Sequence, residues 1–198
     1  MNIYALSSGK GPSGIAIIRL SGKDTYKIAQ LITKTNSLDT KGVNFCKFYN
    51  PEDNCLIDEG LLLWFPGPNS FTGDDLAEFH IHGSNAVIEH FLKILSKQQN
   101  CRMAEPGEFT KTAFHNNKID LIEAESIGDL IHSETELQRQ QAINFVQGNA
   151  SGYYNELRDK LIKSLAYIEA KIDFAEDDLP EKVLKEVHKS IKNIHQDI

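Results

Sequence analysis

The sequence has few cysteines, and Cys46, Cys55 and Cys101 lie far apart with no CxxC pair among the 198 residues. An odd and scattered set argues against a disulfide framework or a zinc cage, and it favours a reducing compartment such as the cytoplasm. The first residues lack the basic stretch and long apolar run of a secretory signal. The longest strongly apolar run, Leu61 to Phe65, is far too short to span a bilayer.

Positive charge is also scarce. The chain carries 21 Lys and Arg against 28 Asp and Glu, which gives a net charge of −7. A surface that binds duplex nucleic acid needs clustered Lys and Arg, so this composition argues against such a surface. The net charge does not exclude a nucleic acid that binds to a partner chain or in a local basic pocket.

A phosphate-binding loop is missing as well. No G-x-x-x-x-G-K-[ST] occurs in the sequence, so we do not expect this chain to hydrolyse a nucleotide by itself. The segment Gly9 to Gly14, GKGPSG, matches G-x-G-x-x-G. The dinucleotide fingerprint, however, needs a strand before it and a helix after it, and here a strand follows. The pattern therefore favours a flexible turn over a nucleotide site.

The first half of the chain is typical of mixed strands and helices. Three segments have the composition of buried strands, at Gly14 to Leu20, Leu61 to Phe65 and Leu76 to His82. Helices are predicted at Asp24 to Thr33 and at Ser84 to Lys97, where the apolar residues recur at helical spacing. This half is therefore expected to form an α+β domain with a core of its own.

The second half changes character after a junction at Pro106 to Asp120. Helices are predicted from Asp120 to Ile131, from a Ser133 and Glu136 capping box to Gly148, and from Val183 to Ile198. A stripe of apolar residues predicts a further long helix packed on others: Leu157, Leu161, Leu165, Ile168 and Ile172. An acidic stretch with a proline, at Glu176 to Pro180, is expected to break that helix. The amphipathic end without a stop signal predicts a fragment of a longer protein, an assembly piece more than a complete enzyme.

Three charged residues interrupt or flank apolar segments: Arg19, Glu78 and Lys118. A charge within a strand that is otherwise buried has to be paired or has to serve a ligand. From the residues alone, a structural salt bridge and a ligand site both remain open, and the salt bridge is favoured.

Two other features have competing interpretations. Glu78, His80 and His82 share one face of a predicted strand, an arrangement that can bind zinc but that strand alternation also produces without a metal. The segment Pro66 to Asp75, PGPNSFTGDD, is dense in turn-forming residues. It is either a functional loop or a plain connection between strands.

Several of these stretches together resemble one family. They are GIAIIRLSG at Gly14 to Gly22, PGPNSFTGDD, EFHIHGS at Glu78 to Ser84, PGEFTKTAFHNNKIDLIEAESIGDLI at Pro106 to Ile131, and QG at Gln147 and Gly148 followed by YIEAKIDFAEDD at Tyr167 to Asp178. In this order they are similar to the N-terminal part of the bacterial MnmE (TrmE) family of tRNA-modification GTPases. The resemblance covers nearly the whole chain.

The resemblance implies an α+β folate-binding and dimerisation domain at residues 1–118, similar to aminomethyltransferase domains. It also implies the first part of an all-α helical domain at residues 119–198, which would end before the GTPase insert. The family acts with an FAD-containing partner, MnmG (GidA). Together they install a carboxymethylaminomethyl-type group at C5 of the wobble uridine of tRNA. GTP, Mg and K belong to the GTPase domain, outside this chain.

The resemblance also assigns roles to the three charges. Arg19, Glu78 and Lys118 match the family's folate contacts, and the implied cofactor is 5-formyltetrahydrofolate. This reverses the preference for a structural salt bridge. No catalytic residue and no metal ligand is expected in this chain. The alternatives are a stand-alone folate-dependent one-carbon transferase and a metal hydrolase built on Glu78, His80 and His82.

Overall fold

The computed structural model describes residues 1–9, 11–40, 42–173 and 181–197. The chain divides into two compact units, Met1–Ile119 and Asp120–Ile198. The first is a mixed sheet with helices and the second is helical, so the predicted α+β and all-α layout is confirmed. None of the described helices is both long and apolar enough to cross a membrane.

The first unit is built on a six-stranded sheet in the order β3-β4-β5-β2-β1-β6. Its strands are β1 (Asn2–Leu6), β2 (Ser13–Ser21), β3 (Asn44–Tyr49), β4 (Leu56–Phe65), β5 (Leu76–Gly83) and β6 (Cys101–Met103). The strand pairs are antiparallel except β1 with β6, which is parallel. The two strands that carry Arg19 and Glu78, β2 and β5, are therefore neighbours at the centre of the sheet.

One face of the sheet is covered by two helices, α1 (Thr25–Thr33) and α2 (Asn85–Ser96). Because side chains alternate along a strand, Ile18 and Phe79 point into this core, and both are fully buried. Phe79 also packs against the rings of Phe48 and Phe91, with centroids 5.8 and 5.0 Å away. The opposite side of the sheet, which carries the alternate residues of each strand, is here named the open face.

A third helix, α3 (Glu108–His115), follows β6. It occupies most of the junction from Pro106 to Asp120, for which no helix or strand was predicted. An ion pair with Arg102 of β6 fixes its start, because the guanidinium bonds both carboxylate oxygens of Glu108. Hydrogen bonding by Arg102 lowers the pKa of Glu108, so this carboxylate stays charged to a lower pH than an ordinary glutamate does. The helix is thereby held at a defined position beside the sheet.

The second unit contains α4 (Leu121–Ile131), α5 (Glu136–Val146), α6 (Asn149–Asp173) and α7 (Glu181–Asp197). Asp120 caps α4 as predicted, and Glu123 completes a capping box. The predicted cap of the next helix was wrong, because Thr135 and Gln138 form that box and Ser133 does not. Ser133 with Glu136 fits the capping-box pattern as well as Thr135 with Gln138 does, because the pattern accepts either Glu or Gln. The pattern alone therefore could not identify the pair that forms the box.

The long predicted helix is α6, but its apolar stripe is not packed along its length. Leu157 is buried, whereas Leu165 and Ile172 are 55% and 70% exposed. The periodic spacing identified the helix correctly and overstated its burial. The acidic break predicted at Glu176 to Pro180 lies outside the described residues, as does Lys10 of the GKGPSG segment.

Candidate functional site

Arg19 and Glu78 face each other across β2 and β5, where they are directly opposite partners in the register. The Nε and Nη2 atoms of Arg19 donate to the same oxygen of Glu78, Oε1, at 2.9 and 2.7 Å. The side chains are 27% and 16% exposed. Both lie on the open face, so these central charges are paired and partly withdrawn from water. Removal of one partner from a pair in this setting costs more than it does in a surface pair, because the other charge is left partly buried and unpaired.

Two aromatic rings contact the guanidinium of Arg19. Its Cζ lies 5.5 Å from the ring centroid of Phe71 and 5.5 Å from that of Phe109. Both distances allow cation–π attraction. Phe71 lies in PNSFTG and Phe109 in PGEFT, so two distant motifs meet at one arginine. Sequence reasoning gave neither ring a role, although each is the only aromatic residue in its motif.

The loop that carries Phe71, Pro66 to Asp75, is fixed by its own hydrogen bonds. The hydroxyl of Ser70 bonds a backbone carbonyl within the loop. Thr72 is fully buried, and its hydroxyl lies 2.7 Å from that of Ser21 on β2. Since the residues on both sides of Phe71 are anchored, the ring is presented at a defined place beside Arg19.

Lys118 is attached to the same loop but not to the charged pair. Its Nζ donates to the backbone carbonyl of Pro68 at 2.9 Å. Gly73 has φ +81°, and a Cβ there would lie 3.2 Å from Cγ of Lys118. Within the described residues, Lys118 has no ion-pair partner. The structure therefore brings Arg19 and Glu78 together and places Lys118 against the loop that completes their surroundings.

The suggested metal triad does not converge. His82 turns to Asp58, with Nδ1 2.8 Å from Oδ1 and its backbone N–H donating to Oδ2 at 2.7 Å. His80 stays beside Glu78, its Nε2 3.8 Å from Oε2. Across the part of the chain that the structure describes, no group of three His, Cys, Asp or Glu residues is placed to hold a metal ion. The metal-hydrolase alternative thus gains no support from the geometry.

The nucleotide alternative also lacks its structural context. The GKGPSG segment leads directly into β2, so no helix N-terminus stands after it to hold a phosphate. Two of its glycines, Gly9 and Gly11, have open space where a side chain would be. Of this segment, Gly9, Gly11 and Pro12 lie between β1 and β2, whereas Ser13 and Gly14 already belong to β2.

The site offers a defined set of interactions to a ligand. One carboxylate oxygen of Glu78 is occupied by Arg19, and no hydrogen bond from a described residue reaches the other. The rings of Phe71 and Phe109 are flat apolar surfaces, and Arg19 and Lys118 are cations. Such a set suits a planar ring with N–H donors joined to an anionic tail.

Comparison with known proteins gives consistent matches along the chain. The profile of the family "GTP-binding protein TrmE N-terminus" matches residues 2–118, and that of the "MnmE helical domain" matches residues 121–198. A tRNA modification GTPase MnmE of Pelagibacter ubique is 56% identical over 189 residues, which cover 96% of this chain and 43% of that protein.

Relatives of lower identity also match along nearly the whole chain. The mitochondrial 5-taurinomethyluridine-[tRNA] synthase subunit GTPB3 of Danio rerio is 43% identical over 99% of this chain and 39% of its own length. A tRNA modification GTPase MnmE of Brucella anthropi is 44% identical over 99% of this chain and 44% of its own length. The chain thus spans about two fifths of the length of these relatives. On these matches, the chain belongs to the MnmE (TrmE) family of tRNA-modification GTPases.

Proposed function

We propose that this chain is the folate-binding and dimer-forming part of a tRNA-modification GTPase. The observation that carries the proposal is the meeting of Phe71 and Phe109 at Arg19, beside its ion pair with Glu78. Both rings lie in the motifs on which the family resemblance rests. A site assembled from separate family motifs is better explained by a ligand than by packing alone.

The ligand proposed is 5-formyltetrahydrofolate. Its pterin ring presents a ring N–H beside an exocyclic amine, and the carboxylate of Glu78 can accept from both. Its tail carries carboxylates, which suit Arg19 and Lys118. The rings of Phe71 and Phe109 supply apolar surface for the flat part of the molecule.

For the whole protein, we propose GTP-dependent tRNA modification. With an FAD-containing MnmG (GidA) partner it would install a carboxymethylaminomethyl-type group at C5 of the wobble uridine. The names of the relatives, which mention tRNA modification and 5-taurinomethyluridine, support this reaction class. GTP, Mg and K would bind in the GTPase domain, since the present sequence holds no phosphate-binding loop. A cytoplasmic location fits the unpaired cysteines.

Homodimerisation through the first unit is supported by apolar side chains at the open face. Ile15 and Phe45 are 63% and 72% exposed, and Leu61 is 38% exposed. Single exposed apolar residues are ordinary, but several on one sheet face favour a surface that is covered in the assembled protein. Sedimentation of this chain tests the point, since a monomer at micromolar concentration contradicts it.

Isothermal titration calorimetry with 5-formyltetrahydrofolate tests the ligand proposal. Glu78→Gln keeps the shape of the side chain and removes its charge, so we expect at least a tenfold loss of affinity (about 1.4 kcal/mol). Glu59→Gln is the matched control, because Glu59 also pairs with a cation across strands, Lys47 at 3.1 Å. Absence of binding to the unaltered chain, or equal binding by both variants, contradicts the site assignment.

A further inference from the structure

One polar atom on the open face is left unused by the pairing of Arg19 with Glu78. The Nε2 of His80 is shielded from solvent and has no hydrogen-bond partner in the described structure. It lies 3.8 Å from Oε2 of Glu78, which is too long for a hydrogen bond. The cross-strand neighbours of His80 are Ile17 and Leu61, which offer no polar side chain. A buried nitrogen without a partner is uncommon and calls for an explanation.

The carboxylate oxygen of Glu78 that lies near His80 is Oε2, which Arg19 does not bond. Each carboxylate oxygen has room for about two donors. Both hydrogen bonds from Arg19 go to Oε1, and the described residues provide none to Oε2. The unpaired oxygen of Glu78 and the unpaired nitrogen of His80 therefore lie next to each other on one strand.

The carboxylate of Glu78 favours one of the two neutral tautomers of His80. A carboxylate at 3.8 Å from Nε2 favours the tautomer with the hydrogen on Nε2, because N–H and O⁻ attract each other. The strand then presents an acceptor, Oε2 of Glu78, beside a donor, Nε2–H of His80. Its complement is a donor beside an acceptor, which is the N–H and C=O edge of a lactam ring.

We infer that His80 is a specificity-determining residue that recognises the 4-oxo group of a pterin ring. The inference rests on the proposed folate site. As Glu78 accepts from the ring N–H, Nε2–H of His80 donates to the adjacent oxygen on carbon 4. A ring with an amine at carbon 4 points a donor at a donor, and it leaves both without an acceptor at that contact.

The test compares two ligands that differ only at carbon 4: 5-formyltetrahydrofolate and its 4-amino-4-deoxy counterpart. Titration of the unaltered chain should give at least a ~10-fold preference for the 4-oxo ligand, since a site that hydrogen-bonds a group discriminates against its absence. His80→Leu removes the donor and should bring the ratio below ~3-fold. His80→Phe also removes the donor while keeping a ring, and it should bring the ratio below ~3-fold as well.

His82→Gln is the control on the same strand, because His82 is bonded to Asp58 and its side chain is 72% exposed. This variant should keep the unaltered ratio, and a thermal melt of each variant verifies the fold. If 5-formyltetrahydrofolate binds but the chain does not discriminate, or if His80→Leu and His80→Phe keep the preference, the role of His80 is overturned. If neither ligand binds the unaltered chain, the proposed function fails first and the inference fails with it.

Discussion

The pairing of Arg19 with Glu78 allows a quantitative prediction, because the same face of the sheet carries a comparison pair. Lys47 and Glu59 also face each other across strands, with 3.1 Å between Nζ and Oε1. Their side chains are 54% and 42% exposed, against 27% and 16% for Arg19 and Glu78. The two pairs therefore differ mainly in exposure and in the number of hydrogen bonds, which is two for Arg19 with Glu78.

The expected coupling free energies follow from that difference. An exposed pair contributes ~0–1 kcal/mol, and removal of one partner of a fully buried pair costs ~3–5 kcal/mol. The partly buried Arg19–Glu78 pair lies between these limits, so a double-mutant cycle with Arg19→Met and Glu78→Gln should give ~1–2 kcal/mol. The cycle for Lys47→Met and Glu59→Gln should give less than ~0.5 kcal/mol and should weaken further in salt.

Urea unfolding followed by tryptophan fluorescence is the assay. Trp64 is the sole tryptophan of the chain, lies in the first unit and is 6% exposed. Its emission thus reports the unfolding of the unit that contains both pairs. Mutational effects at independent sites add to within ~0.3–0.5 kcal/mol. Coupling energies for the two cycles that agree within this margin refute the reasoning that burial sets the strength of the central pair.

Three further predictions concern the first unit. Phe91→Ala should lower the free energy of unfolding by ~3–5 kcal/mol in the same urea assay, because the fully buried ring packs on two other phenylalanines. A thiolate-selective reagent at pH 8 should label the exposed Cys55 well before Cys101, since burial raises the pKa of the Cys101 thiol to about 11; equal labelling rates by mass spectrometry contradict this. The hydrogen bond from Arg102 lowers the pKa of Glu108 below its ordinary value of 4.5. The contribution of this ion pair to the free energy of unfolding is therefore present above pH 4.5, and it is lost as the pH falls through the lowered pKa. An acid melt of Glu108→Gln should lack this component, and an unchanged acid transition refutes it.

The central elements were predictable from sequence because their patterns are strong. Gly14 to Leu20 and Leu76 to His82 were predicted as strands, which the structure confirms as β2 and β5, and it places Ile18 and Phe79 of these strands in the core. Short edge strands such as β6 (Cys101–Met103) were missed, since three residues carry too little periodicity. The helix Glu108–His115 was missed because its PGEFT start resembles a turn.

The candidate site was predictable as a set of residue types but not as a geometry. Arg19 and Glu78 are 59 positions apart, and their pairing depends on the strand order, which no local pattern encodes. The contacts of Phe71 and Phe109 with Arg19 depend on the conformations of a loop and of a helix from separate parts of the chain. The roles of Arg19, Glu78 and Lys118 in folate binding stay predictions.

The ion pair changes how the two sequence interpretations, salt bridge and ligand site, relate to each other. Without a ligand, Arg19 compensates the partly buried charge of Glu78, so the first unit need not hold an unpaired carboxylate. A ligand that uses both oxygens of Glu78 has to displace a hydrogen bond from Arg19. The binding free energy then reflects only the difference between the ligand's hydrogen bonds to Glu78 and the hydrogen bond from Arg19 that they replace. A salt bridge that stabilises the empty site therefore also limits how tightly that site can bind.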